Sequence, residues 1–435
     1  MKNTDNILIS GEPEELFGQQ TRLAINNFPA HGRRLSDVPE LLRAYAWTKA
    51  AAARANADLG VLDADRANAI VKTCEEIAQG KHDRHFPMSL VQGGGGTSTN
   101  MNLNEVIATR GTQLVKELNP DLQIHPNDHV NRSQSTNDTY PTAMALSLIQ
   151  LSQAAITALR ALETTLIKKA DEFDNVYRLG RTCLQDAVPL TVGQTHRAQA
   201  AAVQRHRIEL QGAVDKLRAV PLGATAIGTG VGAPEGYSAL AVHYLAELSD
   251  CDVTVADNFF DALAHLDPYV SLASALVRPA ITLAKIAADL RLLSSGPIGG
   301  LGELDLPVRQ AGSSIMPGKV NPVIPELVMQ LSYRIRGSAH TVELGVAAGE
   351  LELNIMEPII LDALTTMMAD LTEAAKALGE KCVDGIVWDR RALASNLRGS
   401  LQSLIEFVEA HGYQNATNTL TSQGKPDVSK EADNW

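Results

Sequence analysis

The chain has 435 residues, 45 % of them hydrophobic and 20 % charged, and its mean hydropathy is −0.07, the composition of a soluble globular protein with more than one core. Net charge is −12 with no Lys/Arg-rich run, so nucleic acid is not an expected partner. Aromatics make up only 4 % while alanine and leucine dominate, which favours closely packed helices over sheets.

In chain order, the opening residues MKNTDNILIS lack the apolar stretch of a signal peptide. Helical spacing follows at 38–59, where Leu41, Leu42, Tyr45, Ala46 and Ala50 share a face, and again at 63–79. A glycine run, Gly93–Gly96, then opens a polar segment. A long Ala/Leu-rich helix is expected from Pro141 to about Glu172, with more at 195–219, 236–250, 268–295, 324–348 and 357–383. No convincing strand alternation or βαβ pattern appears. Long helices joined by short polar loops predict an elongated bundle. The segments 268–295 and 324–348 are apolar around much of their circumference, and such helices should be surrounded, by other copies of the chain or within one large monomer. Arg278, Lys285 and Asp289 lie inside the most apolar stretch, which argues for a buried helix and against a membrane span. After about residue 384 the pattern shortens, and 414–435 reads as a loose polar tail.

Cys74, Cys183, Cys251 and Cys382 are widely spaced, so reduced thiols and a cytoplasmic location are expected. No metal site is expected. His125, Asp128 and His129 come nearest to a ligand set, but Pro126 and Asn127 predict a turn, and no HExxH motif exists.

Four segments gather hydroxyls and amides beside Gly or Pro, each just before a helix. They are GGGGTSTNMNLNE (93–105), HPNDHVNRSQSTND (125–138), GRTCLQDAVPLTVGQ (180–194) and GSSIMPGKVNP (312–322). The last fails as a phosphate loop: five residues separate its glycines, and Val320 follows Lys319. Backbone N–H groups at helix starts attract anions, and Ser, Thr and Asn add further donors. Capped loops alone are the plainer explanation of any one segment. Four together, with one cation, fit a site of neutral donors around carboxylates.

These segments resemble the aspartase/fumarase superfamily, whose signature loop GSSIMPGKVNP matches at every position, with the other segments in family order. GEPEELFGQQTRLAINNF (11–28) is similar to its N-terminal segment, and the match runs to about residue 386. SQSTND (133–138), LGATAIGTG (222–230), ELELNIMEP (350–358) and EKCVDGI (380–386) are most similar to the ammonia-lyase branch. The resemblance implies a mainly α-helical, three-domain subunit: residues 1–138 mixed and helical, 139–385 a central long-helix bundle, and 386–435 a short C-terminal domain and tail. It also implies a homotetramer with a core of twenty helices and active sites shared among three subunits.

The implied reaction is elimination of ammonia, or a related nitrogen group, from L-aspartate or a similarly substituted succinate. The product is fumarate, formed through an aci-carboxylate. By resemblance Ser313 is the base, as an alkoxide. Ser314, Thr97, Ser135 and Thr136 hold the β-carboxylate, Lys319 and Asn321 bind the α-carboxylate with Thr182 nearby, and Asn137 faces the Cα substituent. No cofactor and no membrane are implied, only a small dicarboxylate partner. Three departures stand out. Cys183 occupies the place of a His or Gln, leaving Glu326 without its usual partner; Gly95 replaces a Ser or Ala; and Thr195 replaces a glutamate. Lyases of nitro-, hydrazino- or N-substituted succinate are therefore an alternative, and fumarate hydratase a weaker one.

Overall fold

The computed structural model describes residues 15–28, 32–117, 119–398, 405, 408–410 and 412–415. Residues 11–14 of the resembling N-terminal segment and 416–435 of the expected polar tail lie outside them. The chain is mainly α-helical and divides into two compact units.

The first unit comprises residues 1–152, 212–273 and 338–366. It contains α1 (Gln19–Asn27), α2 (Pro39–Asp58), α3 (Ala64–Ala78), α4 (Thr97–Lys116) and the start of α5 (Thr136–Glu172). Alanines at 51, 52, 53 and 55 are buried, so α2 packs closely against its neighbours. Pro39 stands at its first turn, where a missing N–H costs nothing. The carboxylate of Glu105 on α4 accepts the backbone N–H groups of Gly18 (2.9 Å), Gln20 (2.8 Å) and Thr21 (3.1 Å), supplying the cap that α1 lacks locally.

Helix α5 begins five residues before the expected Pro141. The cause is a capping box: Ser135 Oγ accepts the Asn137 N–H (3.2 Å), and Asp138 Oδ1 accepts the Ser135 N–H (2.9 Å). The hydroxyls of Thr139 and Thr142 then donate to Ser135 O (2.8 Å) and Asp138 O (2.6 Å), so the first turn persists although Pro141 brings no N–H.

The second unit comprises residues 153–211, 274–337 and 367–435. It opens on the remainder of α5, followed by strands β1 (Tyr177–Thr182) and β2 (Gln185–Thr191) and most of α6 (Val192–Asp215). Two short strands of the first unit follow, β3 (Ala219–Val220) and β4 (Thr254–Val255), paired in parallel around α7 (Tyr237–Ser249). The first unit then adds α8 (Phe259–Ala264) and the start of α9 (Asp267–Leu293). The rest of α9 belongs to the second unit, with β5 (Leu304–Asp305) and the start of α10 (Val323–Ala347). So does the end of α11 (Glu357–Lys381), followed by β6 (Val387–Trp388), antiparallel to β5, and α12 (Arg390–Leu397).

Polar contacts tie the long helices of this unit side by side. Glu163 on α5 pairs with Arg207 on α6 (3.0 Å), Glu209 on α6 with Arg278 on α9 (2.9 Å), and Asp370 on α11 with Arg334 on α10. The expected bundle of long helices is present.

The strands were not expected. The hairpin β1–β2 turns through Cys183 and Leu184, both at positive φ (53° and 60°), the geometry a two-residue hairpin requires. Such turns are usually announced by Asn-Gly or Asp-Gly, and Cys-Leu carries no such signal. Helices α5 and α9 are also long and apolar enough to cross a membrane, with 72 % and 50 % of their most apolar windows buried inside the protein.

Candidate active site

The sequence-predicted residues fall into three groups. In the first unit, the starts of α4 and α5 meet. Gly96, at φ +81°, precedes α4, and a Cβ there would lie 2.0 Å from the ring of Tyr140, so only glycine lets the helix begin against α5. Thr97 follows, exposed, with its hydroxyl donating to Gly94 O (2.8 Å). One turn on, Asn100 Nδ2 donates to Thr136 Oγ1 (3.1 Å), which joins the two helix starts directly. Ser135, Thr136 and Asn137 thus occupy the cap and first two positions of α5, where the helix dipole favours an anion although the Ser135 and Asn137 N–H groups are taken up in the capping box.

Asp138 fixes this corner from behind. Its Oδ2 accepts the N–H groups of Gly223 (3.1 Å) and Thr225 (3.0 Å), and Asn137 Nδ2 donates to Ala226 O (2.7 Å), so the segment 222–230 is held against the start of α5. Burial pushes the Asp138 carboxyl up to about 6, against the pull of those N–H donors and of Lys49.

The second group is the hairpin tip. Thr182 ends β1, and Cys183 stands exposed in the turn. Its base is held by Arg181, whose Nη2 lies 2.5 Å from Glu303 Oε1; Arg178 Nε is 3.7 Å from the other oxygen, and Asn396 Nδ2 donates to Oε1 (2.9 Å). Glu303 is wholly buried. Arg178 also lies over the Trp388 ring, and Trp388 Nε1 donates to His196 Nε2 (3.2 Å). A cavity of about 540 Å³ beside this cluster is lined by Arg178, Arg181, Thr195, Lys285 and Leu290 among others, and by none of the predicted site residues.

The third group is the loop 312–322. Gly312 N–H donates to Lys319 O (2.8 Å) and Asn321 Nδ2 to Gly312 O (2.9 Å), closing the loop on itself. A Cβ at Gly312 would lie 2.4 Å from Lys319 O, which explains the glycine. Within the loop, Ser313 Oγ accepts the backbone N–H groups of Ile315 (3.2 Å) and Met316 (3.0 Å). Two donors aimed at one hydroxyl oxygen favour negative charge on it. Ser314 and Lys319 are exposed, and Lys319 makes no side-chain hydrogen bond or ion pair among the described residues. Glu326, in the first turn of α10, lies 3.7 Å from Arg291 on α9, so in this chain a guanidinium is its neighbour.

Two residues escaped the sequence reading. Asn100 links Thr97's helix to Thr136, and its signal was the i, i+4 pair Asn100/Asn104 on a buried face. Lys49 is wholly buried on α2, and its signal was a position four residues beyond Tyr45 on the apolar face. Among the described residues no group of three His, Cys, Asp or Glu could hold a metal ion.

Comparison with known proteins decides the family. The model of a lyase family matches residues 9–337. The chain belongs to this lyase family, within the aspartase/fumarase superfamily. It is 42 % identical to an aspartate ammonia-lyase of Escherichia coli (strain K12), over 91 % of this chain and 84 % of that protein. One from Helicobacter pylori is 38 % identical, over 96 % and 89 %. Among solved structures, a fumarate lyase:delta crystallin from Brucella melitensis superposes with TM-score 0.90 at 40 % identity, over 96 % and 92 % of the two chains. A class II fumarase from Schistosoma mansoni gives TM-score 0.90 at 33 %, over 96 % and 91 %. The lyase carries carbon–nitrogen lyase signatures on a fold it shares with fumarases.

Proposed function

We propose that this lyase eliminates ammonia from L-aspartate to give fumarate. The observation that carries the reading is 42 % identity over 91 % of the chain with a protein named for that activity. The local chemistry supports it. A Cβ proton beside a carboxylate is weakly acidic, because its removal places a second negative charge on that carboxylate. The resulting aci-carboxylate needs fixed donors before the Cα–N bond breaks, and each such donor is worth ~3 kcal/mol. Thr97, Ser135 and Thr136 at two helix starts, with Ser314, are suited to that charge. Lys319 and Asn321 are suited to the α-carboxylate, Thr182 lies with them in sequence pattern, and Asn137 would face the amino group.

Ser313 would remove the Cβ proton as an alkoxide, stabilised by the two N–H groups aimed at its oxygen. The open, glycine-bounded loop is suited to closing over substrate and excluding water. The substrate's own carboxylate is the electron sink, so the chemistry calls for no cofactor.

The protein acts as a cytoplasmic homotetramer in this reading, with sites completed between subunits and the chain serving as segments 1–138, 139–385 and 386–435. Support comes from apolar side chains left exposed on the long helices of the second unit: Ile167 (42 %), Ile208 (59 %), Ile281 (48 %) and Tyr333 (55 %). The cysteines Cys74 and Cys382 are buried and unpaired, in keeping with a reducing compartment.

A second version keeps the mechanism and changes the nitrogen group to nitro, hydrazino or N-substituted. The exposed Cys183 thiol favours it, while fumarate hydratase is the weaker alternative. Gly95 opens no pocket: it is buried at φ +59°, and a Cβ there would lie 3.4 Å from Ile355. The test is direct: purified protein is mixed with L-aspartate, L-malate and substituted aspartates, and fumarate absorbance is followed. Fast turnover of L-aspartate supports the first reading. Turnover only of a substituted aspartate replaces it with the second, and turnover of none refutes both.

A further inference from the structure

Lys49 is a fully buried lysine that the reaction scheme above leaves without a role. Its Nζ donates to Asn131 Oδ1 (3.0 Å) and Gln134 Oε1 (2.9 Å), so two neutral amides hold it. Asn131 Oδ1 also receives Asn100 Nδ2 (3.1 Å) and Asn104 Nδ2 (3.1 Å). Asn100 Nδ2 in turn donates to Thr136 Oγ1 (3.1 Å). A buried cation is therefore two amides away from a hydroxyl at the start of α5. Because Thr136 Oγ1 accepts from Asn100, its own proton is free to point at a ligand. Lys49 and Asn100 donate to the same oxygen of Asn131, so the cation anchors the amide that fixes where Asn100 aims its N–H at Thr136.

We propose that Lys49 is a positioning residue for the reaction, anchoring Asn131 and through it Asn100 so that the Thr136 hydroxyl is held toward the substrate, and adding positive charge nearby as charge grows on the substrate's β-carboxylate. This rests on the lyase reading given above. The groups facing Lys49 fit the role. Asp138 on α5 is the acid whose charge acts on it, and its carboxyl is held by three backbone N–H groups; Cys74 on α3 is buried, and burial pushes its thiol far up, so it stays neutral. The Tyr45 ring lies under the ammonium, 6.0 Å from centroid to Nζ. Burial lowers Lys49 to about 7, so near neutral pH it is only partly protonated. A dianion arriving at Thr136 would draw a proton onto it.

The test measures two quantities on the full-length protein. One is kcat with L-aspartate. The other is proton uptake on succinate binding at pH 7.5, read by calorimetry in buffers of different ionisation enthalpy. Wild-type protein that turns over no aspartate would fail the underlying reading, not this one. Given wild-type turnover, Lys49→Met is expected to lower kcat at least tenfold and to abolish a fractional proton uptake present in wild type. Asn100→Leu, which leaves the cation but removes the donor to Thr136, is expected to lower kcat by a similar factor. In the Lys49→Met/Thr136→Val pair the losses should fall well short of multiplying. Unchanged proton uptake in Lys49→Met, a kcat within twofold of wild type in either variant, or fully multiplicative losses would overturn the proposal. Failure of both single variants to fold would also overturn it, by making the network purely structural.

Discussion

Ser313→Ala probes the proposed chemistry most directly. Two effects disappear together: the base, and the oxygen toward which two backbone N–H groups point. The Met316 donor, at 3.0 Å, lies inside the 2.7–3.1 Å window of an effective oxyanion donor, whereas the Ile315 donor, at 3.2 Å, lies just outside it. One full donor and one weaker one correspond to ~3–5 kcal/mol of support for the alkoxide. A positioned general base contributes about 10²–10⁴ in rate. The two terms describe one unit and do not add, so kcat is expected to fall by about 10⁴. Fumarate absorbance gives kcat, calorimetry gives succinate affinity, and light scattering gives the assembly state. Affinity and assembly should be unchanged, because Lys319, Asn321 and the two helix starts remain. A kcat within tenfold of wild type would refute the reasoning. So would a parallel loss of succinate binding, which would make Ser313 a binding group.

Three further outcomes are expected. Cys183→His, at the exposed hairpin tip, should change relative rates across amine, hydroxyl and nitro leaving groups; an unchanged ratio measured in competition would remove that position from the specificity argument. Glu303→Ala leaves Arg178 and Arg181 with side chains only 11 % and 13 % exposed and no carboxylate between them, and removing one partner of a buried pair costs ~3–5 kcal/mol. Urea unfolding should show that loss, and a change below about 1 kcal/mol would contradict the pairing. Glu357 is buried, and desolvation raises its carboxyl well above the ordinary value. With the folded value raised, its contribution is fully present below the unfolded carboxyl range and is lost as pH rises toward the folded value. Glu357→Gln should therefore gain stability over wild type as pH goes from 5 to 8, and a constant difference between the two would show the carboxyl already charged in the fold.

What could be read in advance, and what could not, follows one physical division. The long helices were legible because Ala/Leu periodicity and capping are local: the S-x-x-D run at Ser135–Asp138 states in four residues where α5 begins, although Pro141 drew attention to a later start. The loop 312–322 was legible as a motif, but not the aim of two N–H groups at Ser313, which depends on how Gly312 and Asn321 close the loop. The hairpin was hidden because its tip is Cys-Leu, and positive φ at two side-chain-bearing residues is held by strand pairing and the Arg181–Glu303 anchor below, not by turn composition. Lys49 was hidden for the opposite reason. A lysine in an alanine-rich helix reads as a solvated position, and only tertiary structure supplies the amides of Asn131 and Gln134 that make its burial tolerable. Both hidden features lie beside segments proposed to meet the substrate. A protein tolerates a strained tip or a buried cation only where surrounding structure holds it in place. Local sequence signals should therefore be weakest where catalysis asks most of the fold, and in this chain those places are Cys183 and Lys49.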